Sequence, residues 1–278
     1  MKEIFDQLSA DCSKMITKRY STSFSLGIYF LNGKLRRPIY AIYGFVRLAD
    51  EIVDSFHDFD KAFLLSKFRR DCFEAIEDGI SLNPVLNSFQ QVVNKYRIQK
   101  ELIELFLQSM EMDLRQEVYT PEKYDQYILG SAQVVGLMCF HVFTEGDQTQ
   151  YDTLKDSAMK LGSAFQKVNF LRDINADYHD LSRTYFPDVN LSAFSNLEKK
   201  RIEDDIALEF QSALIGIRQL PDSSRNGVYL AYVYYKKLFE KIKRSTAEKV
   251  MSERIRISNT HKFRLMFDSI IRYKTNTI

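Results

Sequence analysis

Long stretches of this sequence run without a turn signal, and that scarcity constrains the fold more than any single motif. Ten glycines and five prolines punctuate 278 residues, too few for the frequent turns of an all-β sandwich or barrel. Helical periodicity fills the intervals, so we expect an all-α chain. Breaks are expected at LNGKLRRP (31–38), SFHDFD (55–60), DGISLNP (78–84), YTP (119–121), EGD (145–147) and QLPDSSRNG (219–227). The stretch 178–196, rich in Ser, Asp and Asn around Pro187, reads as a loop or lid after a helix. No Gly/Ser-rich or Pro-rich linker and no solenoid repeat divides the chain, which predicts a single domain over 1–278 with a sizeable core.

Hydrophobic residues make up 45% and charged residues 27% of the chain, a globular rather than a disordered composition. The net charge of +2 is spread along the sequence, which argues against nucleic acid as a partner. Cys12, Cys72 and Cys139 are far apart and follow no metal-binding spacing, and MKEIFDQLSADC at the N-terminus lacks the apolar core of a signal peptide. A cytoplasmic setting is the expectation. Gln126 to Thr144 carries no Lys, Arg, Asp or Glu and as a helix would be about 28 Å long. Its two Gln, two Gly, Ser and His favour a central core helix over a membrane span. Gly130, Ser131, Ala132 and Gly136 there favour close helix packing over space for a ligand chain. Peripheral contact with a membrane surface stays open, with exposed parts of SFSLGIYFL (23–31) as candidates.

The apolar run IYAIYGFVRLADEIVD (39–54) ends in three carboxylates within five positions, Asp50, Glu51 and Asp54. Asp50 and Asp54 follow Tyr43 and Arg47 along one stripe and stand about 6 Å apart in helical rise, so both can address one target. A solvated helix end is the plainer reading of this motif alone. A second stripe tips the balance: Gln166, Asn169, Asp173 and Asp177 recur at spacings of three, four and four. Leu161, Phe165, Val168, Leu171 and Ile174 are expected on the opposite side of that helix. A surface stripe normally mixes Lys with Glu, whereas amides and aspartates suit metal coordination and ligand hydrogen bonding. Two such helices facing across a cavity would offer four hard oxygen ligands, which favour Mg²⁺ shared with phosphate oxygens. No P-loop motif and no Glu-x-x-His pair is present. A diphosphate on an apolar tail fits both the acids and the helices.

These residues resemble the squalene/phytoene synthase family, the head-to-head prenyltransferases, through STSFSLG (21–27), RRPIYAIYGFVRLADEIVD (36–54), MEMDL with YTPEKYDQYILGSAQVVG (110–136) and AFQKVNFLRDINADYHDLSRTYFP (164–187). The pattern looks closest to the family's bacterial phytoene-forming branch. The resemblance implies an isoprenoid-synthase helical bundle with a central active-site cavity. It also implies two geranylgeranyl diphosphates as substrates, condensed through a cyclopropyl diphosphate to phytoene in carotenoid biosynthesis. Mg²⁺ is the implied metal, with Mn²⁺ able to substitute, and no nicotinamide cofactor is expected. Asp50, Asp54, Asp173 and Asp177 match the family's metal-binding acids, and Tyr43, Arg47, Gln166 and Asn169 its diphosphate site. Ser21, Thr22 and Ser23 match a polar flap, and Arg172 and Arg183 are further diphosphate candidates. Tyr235, Arg256 and Lys262 correspond to a distal tyrosine and basic residues, with Tyr232 or Tyr234 as alternatives for the tyrosine. Two departures stand out: Glu51 replaces a usual Asp and is expected to be a supporting or surface acid, and Tyr20 stands where some members carry His. A dehydrosqualene or squalene synthase acting on farnesyl diphosphate would share every metal ligand, and a non-catalytic lipid-binding helical protein would bind no metal. By inference from the implied pathway, an upstream prenyl diphosphate synthase and a downstream desaturase are partners. The expected location is the cytoplasm, peripheral on the inner face of the membrane.

Overall fold

The computed structural model describes residues 1–115, 119–179, 185–187, 189 and 193–257, without the side chains of Ser23 and residues 176–179. The described residues form helices and connections with no strand. The helices are α1 (Lys2–Tyr20), α2 (Thr22–Tyr29), α3 (Gly33–Asp54), α4 (Lys61–Asp78), α5 (Pro84–Tyr96) and α6 (Lys100–Met112). They continue with α7 (Pro121–Ile128), a π turn (Leu129–Gln133), α8 (Val134–Phe143), α9 (Gln148–His179), α10 (Asn196–Gln219), α11 (Asp222–Lys243) and α12 (Ala247–Ser252). The all-α expectation holds.

Two expected breaks are mostly helix. After a short turn, α3 starts at Gly33, where Asn32 Oδ1 caps it by accepting from Lys34 N at 3.2 Å. Pro38 occupies its second turn, where the missing N–H leaves one rung unmade. Likewise α11 starts at Asp222, so Gly227 is a packing residue and no turn signal. A Cβ there would lie 2.8 Å from the Gly27 carbonyl, and its absence lets α2 and α11 touch. The expected breaks at 55–60 and 145–147 lie between helices, and α10 begins with a capping box of Ser195 and Glu198.

The core fixes which way α3 faces. Phe45 is fully buried and stacks on Phe89 of α5 at 4.0 Å, with Phe68 and Phe106 each 5.5 Å away. Phe45 lies about 160° around the helix from both Tyr43 and Arg47, so anchoring it turns those two away from the core. On the other side of the interior, the segment Pro121–Phe143 is long and apolar enough to cross a membrane, yet 56% of its apolar window is buried inside the bundle. It packs against α3, α6 and α9. Contact with α9 is close because Gly162 lacks a Cβ, which would otherwise sit 2.6 Å from the Ala132 carbonyl. Small residues there serve both of the roles weighed from sequence: a Cβ on Gly130 would sit 2.5 Å from the Leu105 carbonyl, while Ser131, Ala132 and Gly136 also line the central cavity.

Candidate active site

Helices α2, α3, α8, α9 and α11 surround a cavity of about 740 Å³. From α3 it receives Tyr43, Arg47, Asp50 and Asp54, and from α9 Gln166, Asn169, Arg172 and Asp173. Ser21, Thr22, Tyr235 and Arg256 also line it. Asp177 lies on α9 one turn beyond Asp173 with its side chain outside the described residues, as is the side chain of Ser23. Arg183 and Lys262 lie outside them altogether. Tyr234 lines the cavity beside Tyr235, whereas Tyr232 packs on Phe210 at 5.5 Å.

Arginines hold acids on both α3 and α9. The Arg47 guanidinium pairs with Glu51, lies 3.7 Å from Asp50 and covers the Tyr20 ring at 4.4 Å. Glu51 is therefore the acid that grips Arg47, and its side chain is only 13% exposed. Across the cavity Asp173 accepts from Arg172 Nε at 3.0 Å and pairs with Arg254 Nε at 2.6 Å. Arg254 went unassigned in the sequence, where Arg256 was chosen; Arg256 reaches the cavity, but the ion pair with Asp173 belongs to Arg254.

The walls are aromatic. Phe165 stacks on Tyr235 at 3.9 Å inside the cavity, not on the far side of α9 as expected, because it neighbours Gln166 on the helix surface. Burial pushes the Tyr235 phenol up to about 12 and raises that of Tyr43, which a hydrogen bond with Ser21 partly offsets. Both rings are thus neutral hydrogen-bond donors near neutral pH. Three residues from matched motifs had been given no role. Tyr127 donates to Asp113 at 2.8 Å, Tyr185 donates to it at 3.4 Å, and Tyr185 stacks on Phe170 at 4.0 Å.

The described His, Cys, Asp and Glu side chains form no group of three able to hold a metal ion alone. The donor set nevertheless fits Mg²⁺, which takes few protein carboxylates and completes its shell with water and phosphate oxygens. Asp50, Asp54 and Asp173 face one cavity. Asn169 Oδ1 and Arg47 Nε are buried there without a partner among the described residues, an oxygen and an N–H suited to a polar ligand.

An all-helical bundle that presents carboxylates from two helices into one aromatic cavity defines an isoprenoid-synthase architecture. The chain belongs to the squalene/phytoene synthase family, whose model matches residues 17–261. It is 27% identical over 196 residues to a 4,4'-diapophytoene synthase of Staphylococcus haemolyticus, covering 68% of this chain and 66% of that one. It is 26% identical over 266 residues to the chloroplastic phytoene synthase 1 of Solanum lycopersicum, covering 87% and 62%. The chain thus spans a little under two thirds of the length of these curated relatives. A dehydrosqualene synthase crystal structure superposes with a TM-score of 0.83 at 19% identity, covering 97% of this chain and 98% of the other. A squalene synthase from Alicyclobacillus acidocaldarius superposes with a TM-score of 0.76 at 18% identity, covering 87% and 95%. Members of the family named among the matches include phytoene, diapophytoene and presqualene diphosphate synthases.

Proposed function

We propose that the chain is a Mg²⁺-dependent phytoene synthase that joins two geranylgeranyl diphosphates head to head. The observation that carries this reading is the make-up of the cavity lining, in which Asp50, Asp54, Asp173, Arg47 and Arg254 share one space with the rings of Phe24, Phe165, Phe170 and Tyr235. Such a cavity suits a diphosphate on a long apolar tail. The alignment with the tomato phytoene synthase, which covers 87% of the chain, supports the longer substrate.

Asp50 and Asp54 of α3 and Asp173 of α9, with Asp177 one turn further along α9, would hold Mg²⁺, which would supply Lewis acidity to the leaving diphosphate. Arg47 and Arg254 bring guanidinium N–H groups to the same oxygens, giving charge-assisted hydrogen bonds. Breaking the C1–O bond of the donor leaves an allylic cation, which the rings of Phe165, Phe170 and Tyr185 shield from water. Attack by the acceptor's double bond and loss of a proton close the cyclopropane of prephytoene diphosphate. Departure of the second diphosphate, rearrangement and loss of another proton then give phytoene without a hydride donor. Asp113 fixes the Tyr127 and Tyr185 phenols beside this path. Farnesyl diphosphate, giving dehydrosqualene, is the second reading, favoured by the superposition on a dehydrosqualene synthase.

The test is diphosphate release from geranylgeranyl diphosphate by the purified chain. Chelation should abolish release, Mg²⁺ should restore it, and Asp50→Asn and Asp173→Asn should lower it on the order of a thousandfold. Release that survives chelation would overturn the metal assignment, and no release at all would favour the lipid-binding protein.

A further inference from the structure

Helix α1 is packed inside out. Its inner face is Ser9, Ser13 and Thr17, all with no exposed surface, and this small-residue face lets Ser13 meet Gly44 of α3. Phe5 and Ile16 are half-buried, whereas Ile4, Leu8 and Met15 face outward and are 68%, 53% and 55% exposed. At 100° per residue these three fall within about 40° of arc and span roughly 16 Å of helix. A single exposed apolar side chain is ordinary, but an aligned stripe on a helix whose buried face is hydroxylic calls for a cover.

Charge selects the cover. Lys14, Lys18 and Arg19 flank the stripe, make no ion pair among the described residues, and share an open groove of about 430 Å³ with Met15 and Asp11. Asp11 is the acid in that groove and accepts from Gln7 at 2.9 Å. Other exposed apolar residues lack this setting. Phe59 and Phe63 stand beside Asp58 and Asp60 in the sequence. The outward Leu197, Leu208 and Ile215 of α10 share their helix with a Lys200–Asp204 pair at 2.5 Å. Of the segment 23–31, most of which was expected from sequence to be buried, Ile28 and Leu31 are only 3% exposed, and its exposed Tyr29 carries Arg36 over its ring at 4.9 Å rather than standing in an apolar stripe. A narrow apolar stripe edged by Lys and Arg is the pattern of a helix that lies in a lipid interface. The last turn of α1 also leads straight to the cavity, since Tyr20, Ser21 and Thr22 line it.

We infer that the outer face of α1 docks on an anionic lipid surface, with Ile4, Leu8 and Met15 entering the headgroup region and Lys14, Lys18 and Arg19 meeting lipid phosphates. The cavity then opens beside the bilayer. Docking needs no turnover, so it stands or falls apart from the proposed chemistry.

The experiment sediments the full chain with vesicles of phosphatidylglycerol in phosphatidylcholine and with phosphatidylcholine alone, at low and high salt. Binding should require the anionic lipid and weaken with salt. The Ile4→Ser/Leu8→Ser/Met15→Ser variant, altered only at exposed positions, should keep its helical circular dichroism and its diphosphate release while binding at least tenfold more weakly. Neutralising Lys14, Lys18 and Arg19 with Gln should cost on the order of a hundredfold. Asp11→Asn should bind several-fold more tightly. Equal binding to neutral vesicles, or unchanged binding by the apolar and charge variants, overturns the inference. So does a concentration-dependent dimer that the apolar variant abolishes, because a second copy would then be the cover.

Discussion

Arg254 Nε lies 2.6 Å from Asp173 Oδ1, a pair that ties the segment after α12 to the last two turns of α9 across 81 residues of sequence. The same carboxylate accepts from Arg172, so a cation already balances a proposed metal ligand on each side. Removing Arg254 should act in opposite directions on metal and substrate. Arg254→Ala should raise KM for the prenyl diphosphate about tenfold, the worth of one charge-assisted hydrogen bond. It should also tighten Mg²⁺ binding to the substrate-free protein, read by calorimetry, because Asp173 loses a competitor. An unchanged KM would remove Arg254 from the diphosphate site.

Glu51 tests how Arg47 is held. With Glu51→Gln the guanidinium keeps only the 3.7 Å approach to Asp50 and the face of Tyr20. Steady-state kinetics should show KM raised several-fold and kcat changed less, with Glu51→Asp between that variant and the parent. Parent-like kinetics for Glu51→Gln would leave Glu51 only the surface role, the second of the two expected from sequence.

Gly162 and Gly33 give opposite stability predictions for the same substitution. A Cβ on Gly162 would meet the Ala132 carbonyl at 2.6 Å and force α9 away from the π turn, whereas nothing lies within 4 Å of a Cβ on Gly33. Gly162→Ala should cost about 1–3 kcal/mol in urea melts, and Gly33→Ala should stabilise by up to about 1 kcal/mol.

His141 makes stability depend on pH. Its ring stacks on Tyr151 at 4.1 Å, and burial holds its pKa below the ordinary 6.5. Between the folded value and 6.5 the unfolded chain binds more protons, so stability rises with pH across that window. The contribution is complete above about 6.5 and is lost as pH falls through the folded value. Urea melts at pH 7.5 and at acid pH should show the loss, and His141→Gln should flatten the slope.

The acidic stripes were legible because helix geometry alone decides where residues three and four apart point. Tyr43, Arg47, Asp50, Asp54, Gln166, Asn169 and Asp173 accordingly share one cavity. Arg254 was not legible because it lies in an extended stretch where Ile255 and Ile257 are buried and arginines alternate with them. Nothing in the spacing tells Arg254 from Arg256. Tyr127 opens an apolar run and reads as core, and Tyr185 stands in the stretch read as a loop, until Asp113 is placed beside both. Gly227 and Pro38 misled because a glycine at a helix crossing and a proline early in a helix look like turn signals in sequence. The metal-binding reading of Asp177 rests on its spacing from Asp173 and on the resemblance, and the diphosphate reading of Arg183 on the resemblance alone, since neither side chain is among those described.

The substrate assignment is tested most directly by incubating the purified chain with Mg²⁺ and either geranylgeranyl or farnesyl diphosphate, with and without NADPH, and identifying the extracted hydrocarbons by mass spectrometry. We expect phytoene from the longer substrate, unaffected by NADPH. Dehydrosqualene or squalene formed only from farnesyl diphosphate would keep the metal chemistry and contradict the assignment of a C20 substrate.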